Sequence, residues 1–297
     1  MDISVIIVTF NSAACIGACL QSVLAQTDVS FEVIVVDNAS ADDTLARVRS
    51  LPCRVIASPE NLGFGRGNNL GFAASQGRYV YLLNPDARLQ GTHALAELCR
   101  RLDAQPRWGM AGTVILSADG KSESPPASGY PGSRHVRRDF SKLPGRIAWI
   151  MGASMAIRRE VYERLGGFDP DFFLYSEETD FCLRVRELGF EIGCLRDIAV
   201  LHLGAASEDA GDPYGVAARK LKGLLLFRQK HYAPADCLFL ARRDLRRARF
   251  RALWNRLLAR CQPAGSAAWR KSRNYQAVWE VSRDYLARDQ KKTALSK

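Results

Sequence analysis

Three short polar clusters each close an apolar run, and each carries side chains able to grip a ligand: Thr9-Phe10-Asn11, Asp37-Asn38-Ala39-Ser40 and Asn84-Pro85-Asp86. The third follows "YVYLL", which reads as a buried strand, and Pro85 has no amide hydrogen with which to extend the ladder. A carboxylate there is either the cap of a polar turn or a metal ligand at the carboxyl edge of a sheet, where open α/β folds bind their ligands. Two other features hold reactive groups. His202, in "LHLGAAS", follows an apolar run; a lone histidine so placed serves structure more often than ligation. The run Glu177-Glu178-Thr179-Asp180 opens a helical pattern after Ser176. By itself it complements a helix dipole, with Asp180 and Arg184 an i,i+4 pair.

The elements that must position these groups alternate. From Asp2 to about Leu116, the apolar runs "ISVIIVTF", "FEVIVVDN", "CRVIAS" and "RYVYLLN" are separated by helical patterns. One such pattern holds Ile16, Leu20, Val23 and Leu24, another lies near Gly67 to Ser75, and a third starts at Thr92 with Leu95, Leu98 and Leu102. Continuous apolar strands alternating with helices predict a Rossmann-like α/β fold, with a mostly parallel sheet covered on both faces. In such a sheet the strand ends share one edge, so Asp37 and Asp86 can converge although they are distant in sequence. Residues 117–146, rich in Gly, Pro, Ser and Arg, are expected to form a long mobile loop, a lid over a site. Beyond it, "RIAWIMGASMAIRREVYERLGGF" predicts a strand and a short helix, "SEETDFCLRVRELGF" a helix, and "FEIGCLRD" and "IAVLHLG" two strands.

Several functions are disfavoured. In "NLGFGRGNNLGF" the glycines miss the GxGxxG spacing of a dinucleotide site, because Asn68 stands where the third glycine belongs, and no GxxxxGK[ST] phosphate loop is present. "VTFNSAACIG" is not the glycine- and arginine-rich loop of a sugar-phosphate nucleotidyltransferase. No apolar stretch approaches the roughly 20 residues of a membrane span, and the amino terminus lacks a basic n-region, so a cytoplasmic protein is expected. The eight cysteines form no CxxC pair, and Cys19, Cys99 and Cys182 sit in helical apolar patterns, which reads as reduced core thiols. The net charge of +11 is concentrated in residues 242–297, with 16 Lys/Arg against 4 Asp/Glu, leaving the rest near neutral. Nucleic-acid binding is not expected, since no recognition fold accompanies that charge.

The segments "VIIVTFNS", "VIVVDNASADDT", "NLGFGRGNN", "LLNPDA", "MGASMAIRRE", "LGGFDPDFFLYSEETDFCLRVRELG" and "LHLGAAS" together resemble the family 2 glycosyltransferases with the GT-A fold. More narrowly, they are similar to bacterial rhamnosyltransferase-type members that build cell-surface polysaccharides. The resemblance covers roughly residues 1–205. It implies an inverting hexosyltransferase reaction from a nucleotide sugar, possible donors including dTDP-rhamnose, to a saccharide or polyprenyl-linked acceptor. By the same resemblance, Thr9, Asn11 and Asp37 hold the nucleotide, and Asn68 lies near the sugar diphosphate. Asp86 matches the last acid of the metal-binding DxD motif, whose first acid is here replaced by Asn84. His202 approaches the metal or diphosphate, and Glu178, with Glu177 as second choice, supplies the catalytic base. Trp149 and Gly152 lie in a segment that lines the sugar pocket. One carboxylate with phosphate oxygens suits Mg2+ or Mn2+, and an imidazole ligand would favour Mn2+.

The tail adds a separate expectation. In "RRDLRRARFRALWNRLLAR", Phe250, Leu253, Trp254, Leu257 and Leu258 recur at helical spacing, with arginines expected opposite them. Such a helix suits either an anionic inner-membrane surface or its own domain. The expected division is therefore a GT-A domain over residues 1–235 and a basic helical region over 236–297. A non-catalytic, membrane-associated scaffold that keeps the nucleotide-sugar fold is the alternative to an enzyme.

Overall fold

The computed structural model describes residues 1–204, 212–259 and 265–295. They form two compact units. The first takes Met1–Tyr130, Ser141–Phe173 and the chain from Glu177 through the last strand; the second takes Pro131–Phe140, Leu174–Ser176 and the C-terminal helices.

In the first unit the strands are β1 (Ile3–Thr9), β2 (Phe31–Asp37), β3 (Arg54–Ala57), β4 (Tyr79–Leu83), β5 (Ala87–Leu89), β6 (Trp108–Ser117), β7 (Glu123–Ser124), β8 (Ser154–Arg158) and β9 (Glu191–His202). They make one nine-stranded sheet in the order β3-β2-β1-β4-β8-β6-β9-β5, with β7 added to β6. The block β3-β2-β1-β4 is parallel. Strand β8 enters antiparallel between β4 and β6, β6 and β9 are parallel, and β5 returns antiparallel to β9. Around the sheet lie α1 (Ile16–Leu24), α2 (Thr44–Arg49), α3 (Gly63–Ala73), α4 (Ala94–Ala104), α5 (Arg159–Leu165) and α6 (Glu177–Glu187). Alternate residues of β1 serve opposite faces: Ile3, Val5 and Ile7 pack in a core with Leu20, Leu95 and Leu98, while Ile6 joins Val80, Phe168 and Phe181. That is why the strand reads as one unbroken apolar run. The fold is the expected α/β arrangement with a mostly parallel sheet, and Cys19, Cys99 and Cys182 are buried free thiols.

Several details of this unit differ from expectation. Strand β6 is absent from the sequence reading because "WGMAGTVILS" is diluted by glycines; a Cβ at Gly109 would lie 2.7 Å from Phe190 Cβ, so packing excludes a side chain there. The two strands expected after α6 are one, β9, whose register jumps between Leu195 and Ala199 and so absorbs the charged pair Arg196-Asp197. Helix α3 starts at Gly63 rather than near Gly67. Its glycines seat it on the sheet: a Cβ at Gly67 would lie 2.7 Å from Val8 Cγ1, and one at Gly71 2.5 Å from Ile6 Cγ2. The stretch 117–146, expected to be a mobile loop, is tied down near its end. The buried Arg186 guanidinium donates to the carbonyls of Pro144 (2.9 Å), Gly145 (3.0 Å) and Leu143 (3.2 Å) and to Tyr130 Oη (3.0 Å).

The second unit is helical: α7 (Pro213–His231), α8 (Pro234–Ala259) and α9 (Ala267–Leu295). Leu221 and Leu225 of α7 and Ala241 of α8 pack with Val278, Val281, Tyr285 and Leu286 of α9. The break expected after residue 235 therefore falls inside this unit, because the apolar side of α7 finds its partners on α9. Among the described residues no helix is long and apolar enough to cross a membrane. The arginines of α8 are not all opposite its apolar residues, as had been expected. Arg243, Arg246 and Arg247 precede Phe250 by 7, 4 and 3 residues, which puts them on its own side. The side chains of Leu257 and Leu258 lie outside the described residues.

Candidate active site

The strand ends converge on the first unit's carboxyl edge. Thr9 and Asp37 are register partners at the ends of β1 and β2, and the Asn38 amide donates to the Thr9 carbonyl at 2.8 Å. Two non-glycine residues here take left-handed backbone, Asn11 at φ 48° and Ala39 at φ 60°, a conformation that persists only when its surroundings impose it. They turn the two strand exits toward each other, and the Asn11 carboxamide oxygen accepts from Ala41 N at 2.8 Å. Asp37 is 2% exposed; one carboxylate oxygen accepts from Ser40 N at 3.2 Å. The other oxygen, with Thr9 Oγ1 and Asn38 Oδ1, is buried without a hydrogen-bond partner. Three orphaned polar atoms at adjoining strand ends are expensive to bury unless a ligand or water satisfies them.

Asn38 was not singled out as a site residue, yet it links this cradle to the next element. Its Nδ2 donates to the Gly63 carbonyl at 3.0 Å, at the start of α3. Asn68 is 1% exposed, and its carboxamide donates to the Phe64 carbonyl at 3.0 Å, inside its own helix. Gly65 lies against Glu177, whose Cβ is 3.8 Å from where a Gly65 Cβ would be. Phe64 covers Gly152: a Cβ there would meet Phe64 Cζ at 3.2 Å and Glu178 Cβ at 3.7 Å. Gly152 therefore lets Phe64 and the base of the Glu178 side chain approach the backbone. Trp149 instead bridges to Ala127 and packs on the apolar cluster of Met155 and Phe168.

The two glutamates at the start of α6 have different environments. Tyr175 and Ser176, directly ahead of them, have φ of 74° and 71°. Glu177 is 3% exposed, with Oε2 lacking a hydrogen-bond partner. Burial, and then the negative charge of Glu178, push its carboxyl well above the ordinary glutamate range. The shift favours the protonated form of Glu177, which is buried, whereas Glu178 is partly exposed. Asp180 is 1% exposed and accepts from Arg184 Nε at 2.8 Å, a pair that braces the helix.

Asn84, Asp86 and His202 form the third part. The Asn84 amide donates to the Ala153 carbonyl at 3.1 Å, joining this corner to the Gly152 segment. Because Ala87 of β5 is the register partner of His202 at the end of β9, the imidazole is delivered beside the turn. His202 Nε2 lies 3.2 Å from an Asp86 carboxylate oxygen and 3.3 Å from Asn84 Nδ2. Burial, followed by the charge of Asp86, raises the nearby Cys15 thiol above its ordinary range. Among the described residues no three or more His, Cys, Asp or Glu side chains form a metal cluster. A carboxylate and an imidazole are still two donors of the types divalent Mn2+ accepts, and they fit an ion whose remaining ligands are diphosphate oxygens and water.

Residues 4–166 match the family described as Glycosyl transferase family 2. The chain belongs to that family. Its strand-end cradle, α3 and Asp86 lie inside the matched range, while α6 and His202 lie beyond it. Among curated glycosyltransferase relatives, an N-acetylglucosaminyl-diphospho-decaprenol L-rhamnosyltransferase of Mycobacterium tuberculosis is 26% identical over 262 residues, covering 76% of this chain and 84% of the relative. The succinoglycan biosynthesis protein ExoO of Rhizobium meliloti is 34% identical over 125 residues, 41% of this chain and 36% of that protein. The chain thus aligns with only about a third of ExoO's length. In three dimensions the glycosyltransferase is similar to the mannosyltransferase PcManGT of Pyrobaculum calidifontis, solved in complex with GDP-Man and Mn2+. The TM-score is 0.57 at 19% identity, covering 96% of this chain and 74% of that one. The shared fold is GT-A.

Proposed function

We propose that this glycosyltransferase moves a sugar, with inversion at the anomeric carbon, from a nucleotide sugar to a saccharide or polyprenyl-linked acceptor during synthesis of a cell-surface polysaccharide. The observation that carries the reading is the series of contacts linking the unpartnered atoms of Thr9, Asp37 and Asn38, through the Asn38–Gly63 bond and the approach of Phe64 and Glu178 to Gly152, to the Asn84–Ala153 bond beside Asp86 and His202. The first group receives the base and ribose of the donor, with Asn11 shaping the turn. Asp86 and His202 would hold a divalent ion, Mn2+ in preference to Mg2+ because of the imidazole; the ion would neutralise charge on the departing diphosphate. Asn84, standing beside them, adds a polar group but no charge.

Glu178 is the base. It takes the proton of the acceptor hydroxyl as that oxygen bonds to the anomeric carbon, and the bond from that carbon to the diphosphate breaks with the electron pair leaving on the nucleotide. Glu177, whose carboxyl is raised by burial and by Glu178, is less disposed to carry a second negative charge beside it. Rhamnose as the sugar is favoured by the name of the mycobacterial relative. A decaprenol-type acceptor would bring the enzyme to the cytoplasmic face of the inner membrane. The test is a panel of nucleotide sugars with Mn2+ and a polyprenyl-diphosphate-linked GlcNAc acceptor, read by mass spectrometry. Product from one nucleotide sugar supports the reading; donor binding without transfer to any such acceptor or to water would favour the non-catalytic scaffold.

A further inference from the structure

The outward side of α8 carries Phe239, Arg243, Arg246, Arg247, Phe250, Leu253 and Trp254 at spacings of three and four residues. Phe250 is 72% exposed and Leu253 and Trp254 are each 59% exposed, so these apolar side chains are not part of the helical core. The opposite side, with Leu240, Ala241 and Ala248, is buried. Both acids of the helix are engaged away from the stripe: Asp236 accepts from Arg137 at 3.3 Å and Asp244 from Arg228 at 2.6 Å. Among the described residues Arg243, Arg246 and Arg247 form no ion pair.

We infer that this side of α8 is a docking surface for an anionic lipid bilayer. Phe250, Leu253 and Trp254 enter the boundary between headgroups and acyl chains, where an amphipathic aromatic ring is well solvated on both sides. Arg243, Arg246 and Arg247 reach lipid phosphates while their aliphatic stems lie along the same surface. Charge decides between this occupant and a second copy of the chain. A two-fold self-contact brings the same patch against itself, so arginine would face arginine with no α8 carboxylate to relieve it. The inference stands apart from the sugar-transfer reading, since it concerns binding alone.

Deleting the tail from residue 242 would remove α9, which packs on α7, so exposed point substitutions are the appropriate probe. The full chain is floated with phosphatidylcholine vesicles, with or without about one-third phosphatidylglycerol, at low and high salt. Two variants are compared, Phe250→Ser/Leu253→Ser/Trp254→Ser and Arg243→Gln/Arg246→Gln/Arg247→Gln, each with a thermal melt to verify folding. Wild type should bind the anionic vesicles only, and each folded variant should bind at least about tenfold less; high salt should release the wild type. Equal binding to neutral vesicles, no vesicle binding by the wild type, or a wild-type dimer that the serine variant dissociates would overturn the inference.

Discussion

His202 and Asp86 meet across the β9–β5 pair, with Nε2 3.2 Å from the carboxylate and Asn84 Nδ2 3.3 Å from the same ring nitrogen. They are 116 positions apart in the chain, and the antiparallel return of β5 onto the end of β9 brings them together. With Asn84 beside it, Asp86 is the one carboxylate of this Asn84–Asp86–His202 corner. A metal bound there would depend more on the donor's diphosphate than one held by two carboxylates.

Asp86→Ala should therefore lower turnover by on the order of 10²–10³-fold, as expected when a group stabilising a developing anion is lost. Asn84→Ala should cost less. Calorimetry of Mn2+ with nucleoside diphosphate gives a readout besides activity: Asp86→Ala should abolish the metal-dependent part of binding. Unchanged metal dependence in that variant would remove Asp86 from the site.

Glu178→Gln keeps shape and hydrogen bonding but cannot take a proton. Turnover should fall by roughly 10²–10⁴-fold with donor affinity nearly unchanged. An active Glu178→Gln beside an inactive Glu177→Gln would shift the base by one residue, against the burial difference between them.

Thr9→Val removes an unpartnered buried hydroxyl at nearly constant volume. Without ligand the variant should melt at or above the wild-type temperature, since a buried unsatisfied group costs about 1–3 kcal/mol. The thermal shift produced by a saturating nucleoside diphosphate should shrink. A lower melting point in the absence of ligand would mean that Thr9 has a structural partner.

The strand ends were legible because continuous apolar runs stop on polar residues, and a parallel sheet puts those stops on one edge. Asp37 and Asp86 thus fall at the same edge of the sheet on sequence grounds alone, and the strand order β2-β1-β4 keeps them there. The same logic missed β6, whose Gly109 and Gly112 answer to Phe190 and Ile150 from elsewhere in the chain, a tertiary constraint with no local period. It split β9 at Arg196-Asp197, where a register jump keeps the charges outside the ladder. Asn38 was hidden for a different reason: its role depends on the Gly63 carbonyl of a helix 25 residues later. Arg243, Arg246 and Arg247 lie beside the apolar residues of α8 rather than opposite them because its packed face is made by Leu240, Ala241 and Ala248, and alanines add little to an apolar pattern in the sequence.

Gly71→Ala should destabilise the protein although alanine favours helices. The new Cβ would lie 2.5 Å from Ile6 Cγ2 and 3.3 Å from Val36 Cγ2, and overpacking of about 1–3 kcal/mol exceeds the propensity gain of about 1 kcal/mol. A fall of a few degrees in melting temperature, roughly 2–6 °C, is expected. No change would show that α3 can lift from β1 without loss.

Glu177 gives the fold a pH dependence of defined sign. Its carboxyl is raised above the ordinary value of 4.5 by burial and by Glu178, so the folded state holds a proton that the unfolded chain releases. Stability from this group is complete below the unfolded value and is lost as pH rises from there through the raised folded value. Glu177→Gln retains a neutral side chain at every pH and removes that loss. Its melting temperature should exceed wild type at pH 8 by about a few degrees, and the gap should close toward pH 4–5. Melts across that range decide the matter: a gap independent of pH, or one that widens on acidification, would mean that Glu177 is ionised in the folded protein and able to compete with Glu178 as the base.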